Sequence, residues 1–428
     1  MNMMVSRRTM LGGLAVAGGF AATARPALAL VDSTPSFPAT RAFISGFVER
    51  KQLAGTVASI GRGIDAPHFL RAGSTALGGP VPVDENSLWR IYSMTKPVTG
   101  VAAMMLVDCG KLGLDQPIYD LLPTFAKMQV QVTPDGSLTD VQPAKTAITV
   151  RHLLTHTAGL GYSIVQKGPL LEAYRKNGIL PGKVSRLPLP GIDNSPAAPS
   201  LAEFADRLAT LPLVYEPGTK WSYSVSLDLL GRVIEVAAGK DFDAFLADEM
   251  FGPLGMASTW FQVPASEVGR LTTNYAPLGG ALIPIDPAAS SIYLDKPEFP
   301  FGGAGLVSSA HDFDRFLTML AGKGAIGSVR LMSEASAMLA MSNLLPPGAD
   351  TKGSWVEGQG FGAGGRVTLP GNPGGPGAFG WGGAAGTLAF VNPLSGLRGA
   401  GYAQYMPPDA LDFYNKLPEA ILTDFGVT

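Results

Sequence analysis

The sequence is poor in cysteine, in charge and in long apolar runs. Its 428 residues include a single cysteine, Cys109, so no disulfide can form within the chain. Charged residues make up 15% of the chain, against roughly 25% in an average globular domain. No uninterrupted apolar run reaches the roughly 18 residues that a membrane-spanning helix needs. The sequence therefore predicts a protein with a large core and no membrane span.

A cluster of basic residues is also missing from the chain after residue 29. Without Arg7, Arg8 and Arg25, the chain carries 29 basic and 34 acidic residues, a net charge near −5. Nucleic-acid-binding proteins instead carry a basic patch on one face. We therefore expect no nucleic-acid partner.

The first 29 residues are typical of a targeting segment. Arg7 and Arg8 form a twin-arginine pair, an apolar Gly/Ala-rich run follows, and Ala27-Leu28-Ala29 matches a cleavage site. Twin-arginine signals export folded proteins, which fits a chain with one cysteine. The alternative is a cytoplasmic protein with an accidental match. We favour export to the periplasm or secretion.

Apolar spacing predicts that both ends of the chain contribute to one antiparallel sheet. Residues 38–51 and 409–425 have the spacing of helices. Strands are predicted at residues 56–60, 65–72, 387–391 and 397–405. The last two flank a turn typical of a hairpin. The middle of the chain has mostly helical spacing and long proline-rich connections.

These elements predict an α/β (α+β) fold in which a helical lobe interrupts a sheet lobe. The sheet lobe comprises residues 30–92 and 321–428, with helices from both termini flanking the sheet. Residues 93–320 form the mainly helical lobe. The active site is expected between the two lobes.

A serine and a lysine three residues apart, Ser93 and Lys96, stand at the start of a predicted helix. Apolar residues at helical spacing follow as far as Cys109, and Gly110 ends the run. Because proline is tolerated only in the first turn, Pro97 predicts that the helix begins near Ser93. The N–H of Ser93 is then unpaired, and Lys96 lies one turn along on the same face.

This placement suits nucleophilic catalysis. A serine hydroxyl is a weak nucleophile that needs an adjacent base. Burial and the positive end of the helix dipole both disfavour a charged lysine, so Lys96 can accept the serine proton. The N–H of Ser93 can donate to a developing oxyanion. The alternative is an ordinary helix start with a solvent-facing lysine, and the motif alone does not decide between them.

Other catalytic motifs are missing or poorly matched. No serine stands in G-x-S-x-G and the chain has no P-loop. Residues 360–365 fit G-x-G-x-x-G, but no helix follows to bind a nucleotide. His152 and His156 are four residues apart, yet Leu153 stands where a zinc protease has glutamate. Structural histidines are the better interpretation, and no metal or cofactor is predicted.

Two further motifs support a catalytic interpretation. In residues 216–231 a turn leads to Tyr223 and then to an amphipathic helix that runs to Gly239. Residues 379–387 read F-G-W-G-G-A-A-G-T, just before a strand, where glycines let a ligand approach the backbone. The alternatives are core packing for the tyrosine and the tight start of an edge strand for the glycines.

In this order the motifs resemble those of serine β-lactamases and penicillin-binding proteins. Ser93-Met94-Thr95-Lys96, the segment I-T-V-R-H-L-L-T-H-T-A-G-L at 148–160 and Trp381-Gly382-Gly383 are similar to motifs of the family VIII carboxylesterases, relatives of class C β-lactamases. The resemblance covers essentially the whole chain after residue 29. It implies a β-lactamase-like fold.

The resemblance also implies roles for individual residues. Ser93 would be the acylated nucleophile. Lys96 and Tyr223 would form its general-base pair, and Tyr223 would return a proton to the leaving alcohol. The backbone N–H groups of Ser93 and Ala384 would form the oxyanion hole, and Trp381-Gly382-Gly383 would contact the substrate.

Two departures from the β-lactamase pattern narrow the expected substrate. Val225 stands where β-lactamases have asparagine, and Trp381 where they have the lysine that pairs with a substrate carboxylate. The missing asparagine removes a contact to a substrate amide, and the missing lysine removes the partner of a substrate carboxylate. An aromatic side chain instead suits an uncharged acyl or alcohol group. We therefore predict a serine carboxylesterase for small neutral esters. A β-lactamase, a D-aminopeptidase-like hydrolase, an acyltransferase with the same nucleophile and a catalytically silent scaffold or sensor are the alternatives.

Overall fold

An antiparallel sheet joins the two ends of the chain in the computed structural model, which describes residues 36–187, 193–372 and 375–426. The predicted targeting segment, residues 1–29, lies outside the described residues. The strands are β1 (Gly55–Arg62), β2 (His68–Gly73), β3 (Leu88–Arg90), β4 (Gln129–Gln131), β5 (Val141–Pro143), β6 (Asn274–Leu278), β7 (Ala281–Asp286), β8 (Val307–Ser309), β9 (Ala325–Ile326), β10 (Val329–Arg330), β11 (Gly360–Phe361), β12 (Arg366–Val367), β13 (Phe379–Gly383), β14 (Thr387–Val391) and β15 (Leu397–Tyr402).

The α-helices alternate with long connections through the middle of the chain. They are α1 (Pro38–Glu49), α2 (Thr95–Asp108), α3 (Val150–Leu154), α4 (Gly168–Lys176), α5 (Leu201–Ala209), α6 (Ser226–Ala238), α7 (Phe242–Leu246), α8 (Gly252–Leu254), α9 (Ala310–Ala321), α10 (Glu334–Ala340) and α11 (Phe413–Asp424). Among the helices of these described residues, none is long and apolar enough to cross a membrane.

The sheet confirms the predicted fold class. Within the described residues it has seven strands in the order β11-β12-β13-β14-β15-β1-β2, and every neighbouring pair is antiparallel. Strand β1 pairs with β15 on one side and β2 on the other, so the ends of the chain share one sheet. Helices α1 and α11 pack on this sheet around buried apolar side chains that include Phe47, Phe413 and Leu417.

The terminal helices are also joined by hydrogen bonds. The Asp424 carboxylate near the end of α11 accepts hydrogen bonds from the backbone N–H groups of Ala39 and Thr40 at 2.8 Å each. The N-terminal N–H groups of a helix have no partner within the helix, and an anion there is favoured by the helix dipole. One carboxylate thus fixes the first turn of α1 against the last turn of α11.

Most element boundaries agree with the predictions, and the differences have local causes. Strand β2 begins at His68 rather than at residue 65, because the Asp65 N–H bonds to the Arg62 carbonyl in a turn and Pro67 has no N–H to donate. The last helix begins at Phe413, after a 3-10 turn over Pro408–Ala410. Residues 379–383 form strand β13 themselves, with partners on both sides, instead of starting an edge strand.

Helix α2 lies at the centre of the apolar core. Almost all of its side chains are buried, including Val98, Val101 and Ala102, and it packs against α6 and α10. Because α2 is enclosed on nearly every side, the position of its first turn is set by its neighbours. The division of the chain into lobes at residues 92 and 320 remains a prediction.

A buried ion pair anchors the strand that leads to this helix. Arg90, the last residue of β3, is fully buried, and its Nε lies 2.6 Å from the Asp286 carboxylate. Its guanidinium also donates to Ser291 Oγ at 2.9 Å and to Gln404 Oε1 at 3.2 Å. Arg90 stands three residues before Ser93, so this network fixes the backbone at the approach to the predicted nucleophile.

Removing one partner of this ion pair should strongly destabilise the fold. We expect Arg90→Met to lower the free energy of unfolding by about 3–5 kcal/mol, because Asp286 is left as an uncompensated buried charge. Arg71→Met breaks the exposed Arg71–Glu85 pair, at 3.4 Å, and should cost about 0–1 kcal/mol. Urea unfolding of both variants measures the two losses of unfolding free energy. Equal losses would contradict a special contribution of the buried Arg90–Asp286 pair to stability.

Candidate active site

Ser93 lies in a tight turn directly before α2. The turn is a 3-10 segment, Tyr92–Met94, closed by a hydrogen bond from the Met94 N–H to the Ile91 carbonyl at 3.0 Å. The backbone of Tyr92 has φ 41°, a left-handed conformation that is uncommon for a bulky residue. The predicted helix start near Ser93 is confirmed, with regular α-helix from Thr95.

Lys96 is buried beside the serine. Its side chain is fully buried, its Nζ lies 3.1 Å from Ser93 Oγ, and Nζ donates to the Gly303 carbonyl oxygen at 2.8 Å. The same nitrogen lies 4.5 Å from the centre of the Tyr223 ring. A solvent-facing lysine at an ordinary helix start is therefore excluded.

Tyr223 approaches the serine from the segment before α6. Its hydroxyl donates to Ser93 Oγ at 2.8 Å and accepts a hydrogen bond from the indole N–H of Trp381 at 3.2 Å. Since the indole N–H can only donate, it occupies a lone pair of the phenol oxygen and leaves the phenol proton for Ser93. Trp381 thus orients Tyr223 from strand β13.

The pKa shifts give the two groups beside Ser93 different protonation states. Burial lowers the pKa of Lys96 to about 7, against the opposing effect of the Asp228 carboxylate. Burial raises the pKa of Tyr223, opposed by its hydrogen bonds with Ser93 and Trp381. Near neutral pH, Lys96 can therefore accept a proton, while Tyr223 keeps its own.

The end of β13 lies against the turn that carries Ser93. A Cβ on Gly383 would fall 2.2 Å from the Ile91 carbonyl oxygen, so only glycine allows this approach. Thr387 Oγ1 donates to the same oxygen at 3.2 Å. Among the described residues, no acceptor takes the N–H of Ser93 or of Ala384. Two donors are thus available at the junction of this turn and β13.

Gly382 has a packing reason to lack a side chain. A Cβ at this position would fall 2.1 Å from the ring of Tyr414 in α11. Gly382 therefore lets the C-terminal helix approach the sheet. Its predicted contact with substrate remains a prediction.

The two histidines of the 148–160 segment have structural contacts. His152 and Thr149 cap α3 reciprocally through the Thr149 hydroxyl and the imidazole Nδ1. His156 is fully buried, its Nδ1 lies 2.9 Å from Ser224 Oγ, and its ring centre is 4.8 Å from that of Tyr223. Burial lowers the pKa of His156 well below its usual range, so the imidazole is neutral. His156 therefore supports the Tyr223 ring as an uncharged packing partner.

Sequence reasoning missed four residues around the three predicted catalytic side chains. They are Tyr162, Asp228, Gly303 and Trp355. None stands in a motif with a fixed spacing from Ser93, and Gly303 is 207 residues from Lys96 in sequence. Asp228 follows Tyr223 in the 216–231 segment, and the packing of distant segments brings the other three residues to the site. Within the described part of the chain, no cluster of three or more His, Cys, Asp or Glu residues could hold a metal ion.

Comparisons with known proteins agree with this geometry. A family model described as Beta-lactamase matches residues 40–421. Protein Rv1367c of Mycobacterium tuberculosis is 35% identical over 345 residues, which cover 78% of this chain and 81% of that protein. Esterase EstB of Burkholderia gladioli is 30% identical over 369 residues, which cover 82% of this chain and 86% of that protein. The solved structure of EstCE1 is described as a hydrolase with promiscuous acyltransferase activity. It matches this chain with a TM-score of 0.72 and 26% identity, and the match covers 90% of this chain and 97% of EstCE1.

Fold and site together define a serine hydrolase with the β-lactamase-like architecture. The chain belongs to the beta-lactamase family. Its similarity to EstB and EstCE1 confirms the predicted resemblance to the family VIII carboxylesterases.

Lys96 should titrate close to neutral pH in the folded protein, because burial disfavours its ammonium form. Lysine labelled with ¹³C at Cε allows each amine to be followed by NMR as the pH is raised. We expect one resonance to titrate near pH 7, far below the value of about 10.4 for an unperturbed lysine. Lys96→Arg should remove this resonance, whereas Lys352→Arg, at an exposed position, should not. Titration of Lys96 near pH 10 would contradict the prediction.

Proposed function

We propose that this protein is a serine carboxylesterase that hydrolyses small neutral esters through an acyl-enzyme on Ser93. The observation that carries the proposal is the position of Ser93 Oγ, 3.1 Å from Lys96 Nζ and 2.8 Å from the Tyr223 hydroxyl. One neighbour can take the serine proton and the other can supply a proton to a leaving group. That pairing meets the requirement of acyl transfer for an adjacent base and acid.

In the acylation step, Ser93 Oγ attacks the carbonyl carbon of the ester, and its proton passes to the neutral amine of Lys96. The negative charge that develops on the carbonyl oxygen is stabilised by the N–H groups of Ser93 and Ala384. Tyr223 gives its proton to the leaving alkoxide, and the proton held by Lys96 restores the phenol. The products of this step are the free alcohol and the acyl-enzyme.

In the deacylation step, water replaces the alcohol. A water molecule attacks the acyl carbonyl and transfers a proton to Lys96. The second tetrahedral intermediate then collapses and the bond to Ser93 Oγ breaks. The serine oxygen takes a proton from Tyr223, and the proton held by Lys96 restores the phenol. The carboxylic acid leaves and the enzyme returns to its starting state.

The residues around Ser93 favour an apolar, uncharged substrate. Trp381 stands where a β-lactamase has a lysine, and it bonds to Tyr223 instead of offering a cation. Trp355 lies with its ring centre 5.0 Å from that of Tyr223 and is 62% exposed. An exposed indole beside the Tyr223 ring offers apolar surface to an acyl or alcohol group.

Acyl transfer to a second alcohol is the other candidate activity. EstCE1, to which this chain is similar over 90% of its length, is described as a hydrolase with promiscuous acyltransferase activity. The chemistry requires only that an alcohol reach the acyl-enzyme before water does. Ester formation with an added alcohol therefore distinguishes the two activities.

We also propose export by the twin-arginine route, on the basis of Arg7 and Arg8.

Ser93→Ala should abolish ester hydrolysis, because the variant has no nucleophile to form the acyl-enzyme. We expect kcat/KM for p-nitrophenyl acetate to fall by at least ~10³-fold. Wild-type protein treated with a fluorophosphonate should gain one adduct by mass spectrometry, and Ser93→Ala should gain none. Ser354→Ala, a serine next to Trp355, serves as the control and should retain both properties. Near wild-type hydrolysis by Ser93→Ala would overturn the proposal.

Trp355→Ala should lower activity on long acyl chains more than on acetate, because the exposed indole offers apolar surface to the chain. We expect the ratio of kcat/KM for p-nitrophenyl octanoate over acetate to fall by about tenfold. Trp355→Phe should preserve most of the ratio. Leu394→Ala, at a 68% exposed apolar residue between β14 and β15, should leave it unchanged. An unchanged ratio in Trp355→Ala would contradict a substrate contact.

A further inference from the structure

Asp228 is a buried carboxyl group to which the scheme above gives no role. It lies in the first turn of α6 and is fully buried. One of its oxygens, Oδ1, accepts a hydrogen bond from the Gly303 N–H at 2.8 Å. Its other oxygen, Oδ2, has no hydrogen-bond partner among residues 36–187, 193–372 and 375–426. A buried carboxylate with a single hydrogen bond is costly unless a compensating charge is near.

Gly303 connects this carboxyl group to Lys96. The N–H of Gly303 donates to Asp228, while its carbonyl oxygen accepts from Lys96 Nζ at 2.8 Å. A Cβ on Gly303 would fall 2.6 Å from Asp228 Oδ2, so the carboxyl group lies directly against this backbone. Helices α2 and α6, which carry the two side chains, pack against each other. Asp228 and Lys96 therefore contact the same glycine inside the core.

The Asp228 carboxylate and the Lys96 ammonium can each supply the opposite charge that compensates the other. A buried ammonium and a buried carboxylate are both unfavourable alone, and each favours the charged form of the other. When Lys96 is neutral, an ionised Asp228 has no cation to balance it. Proton uptake by Lys96 creates that cation.

We propose that Asp228 is a positioning residue that acts through Lys96: as a carboxylate, it stabilises the ammonium that Lys96 becomes when it takes the Ser93 proton. The proposal rests on the proposed roles of Ser93 and Lys96. In this step the O–H bond of Ser93 breaks and an N–H bond forms on Lys96. Asp228 neither gains nor loses a proton.

The other groups that face Lys96 are uncharged near neutral pH. Burial raises the pKa values of Tyr162 and Tyr223 and lowers that of His156, which keeps all three neutral. Burial also raises the pKa of Asp228, and the Lys96 charge is the main opposing effect. Of the described ionisable side chains near the lysine, Asp228 is thus the one that supplies a negative charge.

The test is the pH dependence of kcat/KM in Asp228→Asn. The amide preserves the shape and an oxygen acceptor for the Gly303 N–H but removes the charge. An ionised Asp228 raises the pKa of Lys96, so its loss lowers that pKa. We expect the acidic limb of the profile to move to lower pH by about 1 unit. We also expect a lower kcat at the optimum and little change in KM.

Two further variants separate this effect from a structural one. Asp228→Ser also removes the charge and should move the acidic limb in the same direction. Asp312→Asn alters another buried carboxylate in the first turn of a helix, whose oxygen contacts the Ser258 N–H and Thr259, and should leave the limb in place. An acidic limb that stays at the wild-type pH in folded Asp228→Asn overturns the proposal.

The outcomes distinguish this inference from the proposed function. If Ser93→Ala abolishes hydrolysis but the Asp228 variants keep the wild-type limb, only the role of Asp228 fails. If Ser93→Ala remains active, both proposals fail.

Should both Asp228 variants prove unfolded, the Cε resonance of Lys96 in the unaltered protein provides the test. The chemical shift of this resonance, followed against pH, should show two inflections. One comes from deprotonation of Lys96 and the other from deprotonation of Asp228, and a single inflection would overturn the proposal.

Discussion

The burial of Lys96 is the constraint on which the rest of the site depends. A lysine amine in water is charged and cannot act as a base, whereas an amine enclosed by α2, α6 and the Gly303 carbonyl is neutral for part of the time near pH 7. The remaining features of the site follow from this enclosure. The Tyr223 ring lies beside the amine, with its centre 4.5 Å from Nζ, and Ser93 Oγ lies 3.1 Å from the same nitrogen.

Distant segments meet at this lysine because each is fixed by its own packing. The Arg90–Asp286 ion pair anchors the strand before Ser93. Gly383 lets β13 approach the same turn, which carries the Trp381 indole to the Tyr223 hydroxyl. The phenol proton is oriented toward Ser93 only when the turn, the strand and the segment before α6 are all in place. The site is therefore a product of the whole core and not of a single loop.

The sequence predicted the fold class, the sheet shared by both chain ends and the helix start near Ser93. These features have local patterns: apolar spacing, a hairpin turn, and a proline that restricts where a helix can begin. The sequence predicted residues 379–383 to lie just before a strand, whereas they form strand β13 themselves. Their glycines weaken the strand pattern in the sequence. The pairing of β13 with β12 and β14 is set by neighbours that the segment itself does not contain.

By itself, the sequence determined which residue types are available and which of them stand at fixed spacing, so Ser93 and Lys96 could be identified together. Only the tertiary structure decided that Lys96 is buried, that Tyr223 keeps its proton and that Asp228 and Gly303 lie beside them. Desolvation and charge pairing depend on every group that surrounds a side chain. Those groups come from segments up to 207 residues away, so no local pattern can encode them.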